Sequence, residues 1–192
     1  MKSDHWSPMT NSYVRDYTSD YARVNFNFNT IPIYHVSEIE DLEQLFISDL
    51  IIEFVFFEDV DKTIRRSTLE SYIIRKVDVI DFIDRIIDVV QDLYKLKIGE
   101  SLKKIDLFNQ IGFKKESIWT FSKLEGDFLD IAIKFEDFEP LSIRTKFSRF
   151  CSSVVDFANV CLELIKQLDI PTEFLEFLSF KIYSLIAYMP NH

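Results

Sequence analysis

The sequence predicts an α+β protein, with an antiparallel sheet and helices packed mainly on one of its faces. Two stretches of the 192-residue chain support this prediction, because each runs in the order strand, turn, strand, helix. The clearer stretch covers residues 118–168 and the looser one covers residues 50–96. They match in order and not in residue identity, so an internal duplication is only a suggestion. A nearly all-apolar helix follows, giving two strand–strand–helix units plus a C-terminal helix.

The composition is that of one folded domain. Hydrophobic residues make up 47% and charged residues 28% of the chain, an ordinary globular balance. A chain of this length buries roughly 70% of the surface that its unfolded form exposes, so it needs no disulfide or metal to fold. We therefore expect a single domain with four parts: an irregular arm (1–22), a first strand and helix unit (23–98), a connector (99–116) and a second unit with the C-terminal helix (117–192).

The first unit begins with a predicted edge strand. Residues 24–29 alternate Val or Phe with Asn, which indicates a strand with one face in water, and Asn is a poor strand former. Ser37 and Glu40 then form a capping-box pattern for a short helix. From Leu50 the residues are β-branched and aromatic on both faces, which favours a central strand. A turn at residues 59–61 leads to a further strand at residues 68–77.

Asp78 is a good N-cap, and it precedes the clearest helix of the chain. Apolar residues recur at three- and four-residue intervals from Val79 to Leu93, and Gly99 ends the helix. The connector that follows has some helical character. In the second unit, Trp119 and Phe121 share one face of a strand.

The second unit turns at Gly126 and continues with two alternating strands before its long helix, for which Ser148 is the predicted N-cap. Pro171 and Thr172 begin the last helix. Because that helix is apolar nearly all round, we expect it between the sheet and another helix, or in a homodimer contact.

The sequence contains no recognisable catalytic motif, metal-ligand spacing or cofactor site. Three glycines exclude a glycine-rich phosphate loop, and none of the histidines (His5, His35 and His192) can be placed beside a nucleophile. Cys151 and Cys161 lie ten residues apart on one predicted helix, about 15 Å, which is too far for a disulfide. They are interpreted as buried core residues, which fits a reducing cytosol, so we expect a protein that is not an enzyme.

The net charge of −10 limits the class of partner. Binding nucleic acid or an anionic membrane surface requires a surplus of Lys and Arg, so neither is expected. An acidic protein is instead steered towards a basic partner, although the charge also keeps a Phe-rich chain soluble. The chain shows no signal-peptide pattern and no run of about 20 apolar residues, so a cytoplasmic location is expected.

Two groups of carboxylates are the candidate partner-binding residues. The first lies on the polar face of the helix that follows Asp78, where side chains three and four residues apart are neighbours. The second lies between two strands and lacks the glycine turn of a Ca²⁺ loop. A solvated helix face and a plain polar loop are the alternative interpretations. We name the two groups the acidic stripe (Asp81, Asp84, Asp88, Asp92) and the acidic loop (Glu136, Asp137, Glu139).

One part of the chain resembles a known group of proteins. It reads Ser-Ile-Trp-Thr-Phe-Ser-Lys-Leu-Glu-Gly-Asp from residue 117, then Phe-Leu-Asp-Ile-Ala-Ile-Lys-Phe, then a helix containing Phe157-Ala158-Asn159. This succession of strand, glycine turn, strand, strand and helix is similar to that of cytosolic immunity proteins of bacterial polymorphic and contact-dependent toxin systems.

The resemblance implies a stoichiometric inhibitor that binds a cognate toxin domain and blocks its active site or substrate groove. The resemblance also implies a basic partner, because toxin nuclease domains are commonly basic, which suits an inhibitor of charge −10. Two other kinds of interaction protein remain open on the sequence. One is a secretion chaperone that dimerises through its C-terminal helix, and the other is a viral or phage antagonist whose acidic surface mimics nucleic acid.

Overall fold

The computed structural model describes residues 22–28, 47–61, 64–110, 116–135, 140–167 and 172–189, and it confirms an α+β fold. Seven strands and three helices occur in these ranges. In chain order they are β1 (Ala22–Phe28), β2 (Ile47–Asp61), β3 (Ile64–Asp78), α1 (Val79–Lys95), β4 (Ser101–Ile105), β5 (Ser117–Lys123), β6 (Phe128–Phe135), β7 (Leu141–Lys146), α2 (Phe147–Lys166) and α3 (Thr172–Tyr188).

The strands form two antiparallel sheets, one with the order β1-β2-β3 and one with the order β4-β5-β6-β7. The predicted edge position of β1 and central position of β2 are confirmed for the first sheet. In β1, Val24 and Phe26 are buried while Asn25 and Asn27 alternate with them on the other side. β1 also lies beside β7, so the two sheets approach each other at these strands.

The helices cover the buried faces of the sheets in two layers. α2 packs on β1 and β7, and α1 packs on β2, β3 and α2. A group of aromatic rings joins these elements. The centre of the Phe26 ring of β1 lies 5.5 Å from that of Phe82 of α1 and about 6 Å from those of Phe150 and Phe157 of α2. α3 packs on α1 and α2 and forms an outer layer, so its expected position between sheet and helix is wrong.

The connector is a strand where we expected helical character. β4 pairs with β5 in the register Leu102 with Phe121 and Ile105 with Ile118. The apolar residues at 102, 105 and 108 have helical spacing, but the half-buried side chains within β4 are Leu102 and Lys104, two residues apart. Pairing with β4 satisfies the backbone N–H and C=O groups on one side of β5. These tertiary hydrogen bonds outweigh the weak helix propensity of the connector.

The two predicted helix caps have opposite outcomes. Asp78 caps α1 as expected, because its carboxylate accepts hydrogen bonds from the backbone N–H groups of Ile80 and Asp81 at 3.1 and 3.0 Å. Ser148 is not the N-cap of α2, since the helix begins at Phe147. Asp127, in the turn between β5 and β6, accepts from the Ser148 N–H at 3.1 Å and from its hydroxyl at 2.6 Å.

Both cysteines lie in the core, as expected, and both are free thiols. Burial raises the pKa of the Cys151 thiol to about 12 and also raises that of Cys161. They are therefore inert thiols at neutral pH.

Several predicted features lie outside the described residues: the arm up to residue 21, the capping box at Ser37 and Glu40, the three histidines and the acidic loop.

Candidate functional site

The acidic stripe lies on the part of α1 that borders α3 and β4. Lys181 of α3 forms ion pairs with both Asp84 and Asp88, the latter at 3.1 Å. Its side chain is only 19% exposed, so most of it is buried. Partial burial lowers the pKa of Lys181, but hydrogen bonds to the two carboxylates outweigh this and raise its pKa above the ordinary 10.5. One lysine therefore compensates two acids of the stripe.

The other two acids of the stripe also have cationic partners within the chain. Asp81 pairs with Arg85 one turn along α1, at 2.9 Å. Asp92 pairs with Lys104 of β4 at 2.9 Å and more distantly with Lys95. The hydrogen bond from Lys104, together with its positive charge, lowers the pKa of the Asp92 carboxyl.

The acidic stripe thus contributes to the structure as well as to the surface. Lys181 attaches the stripe to α3 and Lys104 attaches it to β4. Arg85 and Lys95 pair with it from α1 itself. A partner that used the stripe would first have to displace these cations. Its role in partner binding stays a prediction, as does that of the acidic loop.

A second surface combines charge with a concave shape. A groove of about 290 Å³ lies between β1 and α2, and we call it the β1–α2 groove. Phe26 and Phe157 belong to its lining, although both are almost completely buried. The other lining residues are polar, apart from one valine: Arg23, Asn25 and Asn27 from β1, and Ser153, Asp156 and Val160 from α2.

The groove follows from the local sequence of its two walls. The alternation in β1 turns Val24 and Phe26 into the core, which leaves Arg23, Asn25 and Asn27 on the other side of the strand. In α2, Asp156 and Val160 are exposed one turn apart, so both belong to the outer side of the helix. Asp156 forms no ion pair with any other residue that the structure describes.

The groove offers the carboxylate of Asp156 to a polar side chain of a partner. Asp156 of α2 is a hydrogen-bond acceptor for Lys or Arg, whereas the Asn27 amide of β1 already donates to the Glu53 carboxylate at 3.5 Å. Sequence reasoning anticipated the polar face of β1 but not this groove. Its two walls come from residues about 130 positions apart, and no local pattern shows that they meet.

The described residues contain neither a metal-binding cluster nor a membrane-spanning helix. In the ranges given above, no group of three His, Cys, Asp or Glu side chains is arranged to hold a metal ion. None of the described helices combines the length and apolar composition needed to cross a membrane. Comparison of the chain with protein-family models, with curated proteins and with solved structures finds no match.

Proposed function

We propose that this chain is a non-catalytic binding protein that neutralises a cationic partner, in the manner of the immunity proteins that part of its sequence resembles. The observation that carries the proposal is the β1–α2 groove, with the exposed carboxylate of Asp156 among its lining residues. A concave site with a few polar groups suits the insertion of a partner's side chain.

The charge of the whole chain supports the same kind of partner. With 32 acidic and 22 basic residues, the chain attracts a basic domain over distances of about one Debye length, roughly 8 Å at physiological salt. Such attraction raises the association rate, while a few well-packed contacts supply most of the affinity. In this proposal the surplus acids bring the partner close and the groove holds one of its basic side chains.

The first test is binding of the purified product of the adjacent gene, measured by calorimetry and stopped-flow fluorescence. We expect a one-to-one complex whose association rate constant falls as the salt concentration rises. An adjacent product that does not bind, or a rate that is independent of salt, would contradict the proposal.

The groove itself is tested by two substitutions, one that removes a negative charge from it and one that removes a positive charge. We expect Asp156→Asn to weaken binding about tenfold, about 1.4 kcal/mol, because a basic side chain of the partner loses its acceptor. Arg23→Gln should leave the affinity unchanged or increase it, since it removes a cation from the same groove. Glu125→Gln, at an exposed turn, changes the net charge equally and is the control. Weakening by Arg23→Gln instead of Asp156→Asn would indicate an anionic side chain.

A further inference from the structure

The outer side of α3 carries large apolar side chains in contact with solvent. Phe180 is 72% exposed and Tyr183 66%, with Phe177 at 54% and Ile186 at 41%. Side chains of this kind are usually buried. They recur at every third position and so wind about half a turn around the helix, with Phe177 and Tyr183 on either side of Phe180; we call them the apolar row (Phe177, Phe180, Tyr183, Ile186). Leu178, Ile182 and Leu185 hold the opposite side of α3 in the core.

The apolar row is large enough to form one side of an interface. With about 200 Å² for each aromatic side chain, the exposed fractions of Phe177, Phe180 and Tyr183 correspond to about 380 Å² per copy. Two such surfaces would bury about 770 Å², or about 900 Å² with their margins, which is the size of a weak and reversible interface. A patch of this size commonly marks an interaction site.

We propose that the apolar row binds the apolar row of a second copy of this chain, with the two α3 helices antiparallel and crossing at Phe180. A two-fold axis at this residue places Phe180 against Phe180. It also places Phe177 of one copy against Tyr183 of the other, so aromatic side chains meet at these three positions of the row.

The charges along α3 favour this orientation. Glu173 and Glu176 are exposed at the start of the helix, and no acid occurs between residues 177 and 186. Antiparallel packing places these acids against the uncharged Ala187 and Ser184 of the other copy. Parallel packing would place each acid beside its own equivalent and would align the two helix dipoles, and both effects are unfavourable.

A second copy fits the row better than a cationic partner does. Lys181 is the one charged residue among residues 177–186, and its ammonium group pairs with Asp84 and Asp88 of α1. It also lies 5.7 Å from the centre of the Phe177 ring. Between residues 177 and 186 the row therefore offers a cation no carboxylate, whereas another apolar row matches these side chains. The dimer does not depend on the function proposed above, because it uses a different surface.

The test uses the full chain in sedimentation equilibrium at increasing concentration. We expect a dimer, and Phe180→Glu should raise its dissociation constant at least about tenfold. Phe180→Lys alone should do the same, while an equimolar mixture of the two variants should restore the dimer, because opposite charges then meet at the crossing point. Ile73→Glu, on a side chain that is 60% exposed on β3, is the control and should not change the constant.

Cysteine cross-linking tests the orientation. Phe180→Cys should form a disulfide-linked dimer under mild oxidation, while Ala187→Cys should not, because antiparallel packing separates the two copies of residue 187 by about 20 Å. The native cysteines are buried and do not interfere. A wild-type chain that stays monomeric at about 100 µM would overturn the proposal. Equal cross-linking of both variants would overturn the antiparallel arrangement.

Discussion

At the scale of single residues, the turn between β5 and β6 determines where α2 begins. Asp127 adopts a positive φ of 65°, a conformation that Asn and Asp tolerate better than other non-glycine residues. Its carbonyl oxygen accepts a hydrogen bond from the Phe147 N–H at 2.8 Å, and its carboxylate accepts two from Ser148. One turn residue therefore satisfies backbone donors of the first helical turn that a local N-cap would otherwise satisfy.

Replacement of Asp127 should show how much this contact contributes. We expect Asp127→Ala to lower the free energy of unfolding by about 2 kcal/mol, because the cap is lost and Ala disfavours a positive φ. Asp127→Asn keeps an acceptor oxygen and tolerates the same φ, so it should cost less than half as much. Urea denaturation measures both values. An equal loss in the two variants would contradict the capping role.

The two caps also show what a sequence can reveal at this scale. Asp78 bonds to residues two and three positions ahead, so local spacing was enough to predict it. Asp127 reaches Ser148 across 21 positions, and the connection exists only because β6 and β7 pair beside each other. A cap that depends on tertiary structure leaves no local pattern. The local sequence therefore indicates Ser148 as the N-cap, although Asp127 supplies the acceptor groups.

At the scale of elements, α3 is attached to α1 by one polar contact and a set of apolar ones. Lys181 lies between Asp84 and Asp88, and its side chain is largely covered. Removal of this cation would leave two neighbouring carboxylates without compensation, which costs more than the loss of an exposed ion pair.

We expect Lys181→Met to lower the free energy of unfolding by about 1–3 kcal/mol and to increase hydrogen exchange in α3. Lys166→Met is the control, because Lys166 forms an exposed pair with Glu163 and its loss should not be measurable.

The pH dependence of this contact has a defined sign. The pKa of Lys181 is raised on folding, so its stabilisation is complete below the ordinary pKa of 10.5 and is lost as the pH rises through the folded value. The difference in the free energy of unfolding between wild type and Lys181→Met should therefore be constant near neutral pH and shrink above about pH 10.5. A difference that grows in this range would contradict the assignment.

The same contact shows why the stripe could be located from sequence but its surroundings could not. Helical spacing places the four acids on one side of α1, and the structure confirms the helix. The cation that compensates Asp88 lies 93 positions later, on a helix whose orientation is decided by packing. Periodicity likewise predicted most strands, whereas β4 appeared only through its pairing with β5.

At the scale of the whole molecule, apolar residues build the layered body, and none of the acids in the described residues is fully buried. The core is continuous from β1 through α1 and α2 to α3, so both proposed surfaces belong to one compact unit. The β1–α2 groove carries the proposed partner contact and the apolar row carries the proposed dimer contact. Each surface can be altered without changing the other.

The most direct test compares the groove with the acidic stripe in binding to the purified product of the adjacent gene. The double variant Asp84→Asn/Asp88→Asn removes two acids that pair with Lys181, and Asp156→Asn removes one that lines the groove. We predict that the double variant loses folding stability but keeps wild-type affinity, while Asp156→Asn keeps stability and loses affinity about tenfold. A folded double variant that no longer binds, beside an Asp156→Asn variant that binds normally, would contradict this account.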